Sequence, residues 1–128
     1  PSRPWTDQLV NQLYELSGRT GLVPVLAHIE RYLKNQQPQH IEALLALGVP
    51  VQVSAEPILH AMQRGAVLRL LRERKAQIVA SDTHDPVFRP PNLGRALSEL
   101  SRRLGRGKAS SLAARSDDII AQTPEAVI

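Results

Sequence analysis

Two short stretches of the chain carry nearly all of its recognisable chemistry. The first is Ser81-Asp82-Thr83-His84-Asp85-Pro86, which follows a mainly apolar run over residues 76–80. A buried strand that ends in small and polar residues delivers its last side chains into a site. Asp82 and His84 stand two apart, so on an extended backbone both point to the same side. A carboxylate and an imidazole presented together can share a hard or borderline divalent metal. Phe88-Arg89-Pro90-Pro91 then forms a stiff loop that keeps an arginine near those two groups. The second stretch has the same grammar. Val23-Pro24-Val25-Leu26-Ala27 is apolar, His28 follows, and Arg31 comes three residues later. Two strand ends, each with ligand-type residues and then an arginine, predict a metal site that handles phosphate, because arginine forms bidentate contacts with phosphoryl groups.

Each of these residues also has a plainer reading. His28 could be a hydrogen-bonded core histidine, and Asp82 a turn or cap residue. Arg31 and Arg89 could be ordinary surface arginines. Glu30 could be a ligand, an acceptor behind His28, or the ion-pair partner of an arginine. His60 and Glu56 follow the second predicted strand and fall near the same site. His40 opens a polar segment and is expected at the surface, and Asp85 reads as a turn former.

The elements that position these residues follow from the hydrophobic pattern. Trp5, Leu9, Val10, Leu13 and Leu16 mark an amphipathic helix, with Gly18 and Gly21 as its stop. Strands are predicted near 22–28, 49–55 and 76–82, the first irregular because Pro24 cannot donate to a ladder. Ile41, Leu44 and Leu45 mark a short helix ended by Gly48. Pro57 opens a helix with Leu59, Met62, Ala66, Leu70 and Leu71 inward and Arg64, Arg69, Arg72, Arg74 and Lys75 in water. Asn92 caps a helix with Leu93, Ala96, Leu97, Leu100 and Leu104 inward. A last helix from about Lys108 is expected to break at Ser116-Asp117-Asp118, and Thr123-Pro124-Glu125 to open a final turn. Strands apolar on both faces and joined by helices predict an α/β fold with three parallel strands under covering helices. In such sheets sites collect at the carboxyl ends of strands, where His28, Asp82 and His84 all fall.

Composition sets the outer bounds. The 128 residues suit one domain, and the 42% hydrophobic content supports a core built from aliphatic residues, since aromatics are only 3%. With no cysteine, thiolate metal sites and every cysteine-nucleophile mechanism are excluded. No apolar run reaches the roughly 20 residues of a membrane span, and a cytoplasmic location is expected. The net charge is +4, with 16 Lys and Arg against 12 Asp and Glu. Most of the excess lies in Arg102, Arg103, Arg106, Lys108 and Arg115. No aromatic interleaves that cluster to stack a base, so it reads as a solvated helix face and no nucleic-acid partner is expected.

Taken together, Ala27-His28-Ile29-Glu30-Arg31-Tyr32, Ser81-Asp82-Thr83-His84 and Arg89-Pro90-Pro91-Asn92-Leu93 resemble the PHP-superfamily metal-dependent tyrosine phosphatases of bacterial capsule and exopolysaccharide operons. Gln52-Val53-Ser54-Ala55 and Thr123-Pro124-Glu125-Ala126 sit where that family has similar runs, so the likeness covers roughly residues 20–128. The resemblance implies a distorted (βα)7 barrel of which residues 1–128 are a single partial domain, the C-terminal part, with the N-terminal half-barrel absent. It implies a cluster of divalent ions, often manganese, with His28, Asp82 and His84 as metal ligands. It assigns Arg31 and Arg89 to the substrate phosphate, and a metal-bound hydroxide to the attack on phosphorus. The substrate implied is a phosphotyrosine protein, including a cognate bacterial tyrosine kinase, and a homo-oligomer is allowed. The family usually has proline where Ile29 stands, and its N-terminal His-x-His pair is not in this sequence. The chain alone is therefore expected to be inactive. Two other readings remain open: a phosphatase of small phosphomonoesters, and a non-catalytic interaction module.

Overall fold

A computed structural model of the chain describes residues 3–21, 23–88 and 90–121. Helix α1 spans Asp7–Thr20. The Thr6 hydroxyl accepts from the Leu9 amide at 3.2 Å, which starts the helix. Gly18 is carried inside it, and Gly21, at φ +68°, ends it. Trp5 lies before the helix and is buried. Its amide donates to Gln36 Oε1 at 2.6 Å, and its ring lies 4.7 Å from that of Tyr32. Helix α2, Pro38–Ala46, begins on its proline, buries Ile41 and Leu44, and ends ahead of Gly48 at φ +71°.

Strand β1, Gln52–Ser54, is buried at every position, as a parallel strand covered on both faces should be. It pairs in parallel with β2, Ile78–Ala80, in the register Gln52 with Ile78, Val53 with Val79 and Ser54 with Ala80. The expected three-stranded sheet is thus two-stranded among the described residues. The stretch expected as a first strand is reduced to one parallel bridge, Leu26 with Val51, made by Leu26 N–H to Pro50 O and Gln52 N–H to Leu26 O, both 2.9 Å. The reason is local. Pro24 has no amide to extend the ladder on one side of Leu26, and His28 turns left-handed (φ 57°) on the other.

The helix expected from Pro57 onward is two. Helix α3, Ala55–Leu59, is separated from α4, Ala61–Arg72, by His60 in an extended conformation. The carbonyls freed by this break are claimed by Arg64, whose Nε donates to Ile58 O at 2.6 Å and Nη2 to Leu59 O at 2.8 Å. The break resets the helical phase. Val67, Leu68, Leu70 and Leu71 are buried, while Met62 and Ala66, expected inward, are exposed. Arg64, expected in water, is instead mostly covered.

Helix α5, Leu93–Leu104, follows Asn92 and buries Ala96 and Leu100 as its spacing predicts, with Leu93, Leu97 and Leu104 partly covered. Asn92 holds the cap position without a side-chain capping bond. Helix α6, Arg106–Ala121, runs unbroken through Ser116-Asp117-Asp118, where Ser116 Oγ turns back to Leu112 O at 3.0 Å. The expected turn at Thr123-Pro124-Glu125 lies outside the described residues. One core joins all layers, with Ile29, Leu44, Val51, Val53, Ile58, Val67, Leu71 and Leu100 among its fully buried members. Among the described residues no helix is long and apolar enough to cross a membrane.

Candidate metal and phosphate site

The site forms where the bridge at Leu26 and the ends of β1 and β2 meet. His28 leaves its extended segment in the left-handed region, a conformation uncommon for a residue with a side chain. Its amide is held by the side chain of Gln52, whose Oε1 accepts at 3.0 Å. The turn that follows, Ile29–Arg31, buries Ile29 completely and so anchors the adjoining Glu30 and Arg31 to the core. Ile29 therefore fastens this loop by burial.

Ser54, the last residue of β1, joins the two halves of the turn. His28 Nδ1 lies 2.7 Å from Ser54 Oγ, and that hydroxyl donates to Glu30 Oε1 at 2.6 Å. The Ser54 amide also points at Glu30 Oε2, 3.4 Å away. Glu30 is thus an acceptor behind His28, and among the described residues no arginine pairs with it.

Asp82 faces this group from beyond β2. His28 Nε2 is 3.4 Å from Asp82 Oδ1, and Arg31 Nη2 donates to Oδ2 at 3.1 Å. His28, Arg31 and Asp82 are therefore brought together at one end of the sheet, as the spacing predicts. The means differ from the expected one. β2 ends at Ala80, and Asp82 is itself left-handed at φ 55°, so strand alternation does not align Asp82 with His84. Instead His84 folds back, and its Nδ1 donates to the Asp82 carbonyl at 2.7 Å. That leaves Nε2 of His84 as its available lone pair. The His84 side chain is 65% exposed, and its Nδ1 is 3.3 Å from Asp82 Oδ1. Arg89 lies outside the described residues.

The donor set fits a divalent cation in part. Bonds of about 2.0–2.2 Å from imidazole nitrogen and carboxylate oxygen would let His28 Nε2 and Asp82 Oδ1 share one ion across their 3.4 Å separation. Among the described residues no three histidine, aspartate or glutamate side chains converge into a ready cation cage. Alongside lies a pocket of about 830 Å³, whose wall includes Glu30, Arg31, Ser54 and Asp82 on the site side and Met62, Phe88 and Arg95 on the other. Met62 and Phe88 are exposed, so the pocket has an apolar lip.

Other expected residues fall as follows. His60 and Glu56 line the pocket and face each other at 3.4 Å, both well exposed. Asp85 forms the turn expected of it: its Oδ1 accepts from the amides of Phe88 and Val87, each at 2.7 Å, and these two bonds hold its carboxyl below the ordinary range. His40 departs from expectation, being largely covered, with Nε2 3.2 Å from Asp7 Oδ1. Sequence reasoning did not single out Gln52 or Ser54 as site residues. Their only signal was the resemblance of the run Gln52–Ala55 to a family segment.

Comparison with known proteins identifies the family. The family model for capsular polysaccharide synthesis, CpsB/CapC, matches residues 5–121. The chain is 32% identical over 102 residues to the tyrosine-protein phosphatase CpsB of Streptococcus agalactiae, covering 72% of this chain and 42% of that protein. It is 28% identical over 102 residues to CpsB of Streptococcus pneumoniae, with the same shares covered. It thus spans about four-tenths of the length of the curated relatives that it matches. Its fold matches one of the crystal structures of YwqE from Bacillus subtilis and CpsB from Streptococcus pneumoniae, described as metal-dependent tyrosine phosphatases. That match has a TM-score of 0.82 at 22% identity, covering 97% of this chain and 51% of the other. With 117 of its 128 residues (5 to 121 inclusive) under the family model, the chain belongs to the capsular polysaccharide synthesis family CpsB/CapC.

Proposed function

We propose that this chain contributes one side of the active site of a metal-dependent protein-tyrosine phosphatase acting in bacterial capsule or exopolysaccharide synthesis. The observation that carries the reading is the shared carboxylate of Asp82, which faces His28 Nε2 through one oxygen and Arg31 through the other at the edge of a pocket. In this reading His28, Asp82 and His84 hold the cation, manganese by preference. Carboxylate and imidazole donors suit such an ion, and it would supply Lewis acidity and an activated water. Arg31 has a fork of donors of which only some are spent on Asp82, and with Arg89 it binds the phosphoryl oxygens. Ile29 burial keeps Arg31 in place, and the apolar lip of Met62 and Phe88 suits an aryl ring better than a small polar alcohol. The substrate is a phosphotyrosine protein, a cognate tyrosine kinase included, and the setting is the cytoplasm.

The test is hydrolysis of p-nitrophenyl phosphate and of a phosphotyrosine peptide by the complete protein in manganese. Arg31→Ala and Arg89→Ala should each lower the rate tenfold or more while leaving the fold intact, because each removes a charge-assisted contact worth about 1.5–3 kcal/mol. Unchanged kinetics in both variants would reject the phosphate role. A preference for alkyl over aryl phosphates would reject the tyrosine reading.

A further inference from the structure

The chain Glu30–Ser54–His28 has only one consistent arrangement of protons. A carboxylate accepts and does not donate, and a serine hydroxyl has a single hydrogen. Ser54 Oγ lies 2.6 Å from Glu30 Oε1 and spends that hydrogen there. It can then only accept from the ring nitrogen 2.7 Å away, so the proton of the imidazole stands on Nδ1. In the neutral ring Nε2 is then left with its lone pair, 3.4 Å from Asp82 Oδ1. Without the hydroxyl the preference reverses. Asp82 Oδ1, 3.4 Å from Nε2, would then be the nearer of two carboxylates, against Glu30 Oε1 at 3.9 Å from Nδ1, and would draw the proton to Nε2, the position that must be bare to bind a cation. The parts are rigidly held. Ser54 is 4% exposed at the end of β1, the His28 amide is tied to buried Gln52, and the Ser54 amide points at the second oxygen of Glu30.

We infer that Ser54 is a positioning residue, set by Glu30, that locks His28 in the Nδ1-protonated form and keeps Nε2 free as a metal donor. The lock matters for catalysis only if His28 is a ligand as proposed above, so the test separates the two. The first measurement is the nitrogen-15 spectrum of the histidine rings in the metal-free whole chain at about pH 8.5, roughly two units above the ordinary imidazole value. His28 of the unaltered protein should show a protonated Nδ1 and a bare Nε2. Ser54→Ala should move the proton to Nε2, and Ser54→Thr, which keeps the hydroxyl, should restore it. The second measurement is manganese uptake, read from the signal of the free ion. Ser54→Ala should weaken uptake about 10–100-fold, as loss of such a partner typically does, with Ser54→Thr recovering most of it. A proton on Nε2 in the unaltered protein, or a spectrum indifferent to Ser54→Ala, would overturn the lock. A correct spectrum in a protein that takes up no manganese would leave the lock standing and reject the metal reading instead.

Discussion

Among the described residues, three with side chains sit in the left-handed backbone region: His28, Arg74 and Asp82. Two of them face each other in the site, and the third does not belong to it, which makes a controlled experiment possible. Asp82→Gly and Asp82→Ala remove the same carboxylate and the same contact with Arg31. They differ only in the backbone. A non-glycine residue pays about 1–2 kcal/mol in this region, whereas glycine loses about 0.5–1 kcal/mol more chain entropy on folding than alanine. The net expectation is that Asp82→Gly is more stable than Asp82→Ala by about 0.5–1 kcal/mol, the reverse of the order at an ordinary position. With a urea slope near 1.5 kcal/mol per molar, the midpoints should differ by about 0.3–0.7 M. Trp5 is the single tryptophan and is buried, so its fluorescence follows unfolding without a label. Arg74 supplies the control. It stands just past the end of α4, with its own amide on Leu71 O at 3.4 Å and the Lys75 amide on Leu70 O at 2.9 Å, the pattern of a helix stop that favours glycine. Arg74→Gly should therefore gain a similar amount, with metal uptake unaltered. If Asp82→Ala proved as stable as Asp82→Gly while Arg74→Gly gained as expected, the backbone at Asp82 would not be strained and the reasoning would fail there.

Other expectations concern the core and its charges. Glu99 on α5 is buried, and a hydrogen bond from Arg103, against the opposing effect of burial, together with the charges of Arg102 and Arg64, holds its carboxyl below the ordinary range. A lowered carboxylate stabilises the fold above its unfolded value, near pH 4.3, and loses that stability as pH falls through the folded one. Glu99→Gln should thus lower the melting temperature at neutral pH and flatten its decline below about pH 4.3; a decline unchanged in shape would show that Glu99 does not report on folding. Ile58→Ala, at a fully buried position on α3, should cost about 2–5 kcal/mol in urea unfolding, and a loss under 1 kcal/mol would mean that the core collapses into the space. Gln36 bridges the Trp5 amide and the Arg3 carbonyl at 2.6 and 3.0 Å, so Gln36→Ala should cost about 1–3 kcal/mol and shift Trp5 emission toward that of exposed indole; an unshifted spectrum would show that Trp5 is held by packing alone.

Much of this protein was legible in its residues because the deciding interactions are local in sequence. The apolar spacing of Ala96 and Leu100 dictates which face of α5 is buried, and Gly48 and Gly105 mark helix ends because their positive φ suits glycine. Apolar runs leading to His28 and Asp82 suggested two strand ends bearing ligand-type residues, and the structure places those two side chains 3.4 Å apart. What no local rule could supply came from polar contacts that periodicity does not report, some of them across 24 residues or more. Ser54 reaches His28 and Glu30 only because β1 runs beside the 23–27 segment, and nothing in the spacing of a serine marks it as their bridge. The break at His60 is stabilised by Arg64 reaching back to two carbonyls, and it rotates Met62 outward against its helical pattern. The buried charge of Glu99 is met first by Arg103 on its own helix, and Arg64 joins it at 3.4 Å from another helix. Periodicity reports which side chains avoid water. Which polar groups share a proton or a charge is decided by distance, and only the tertiary structure sets distance.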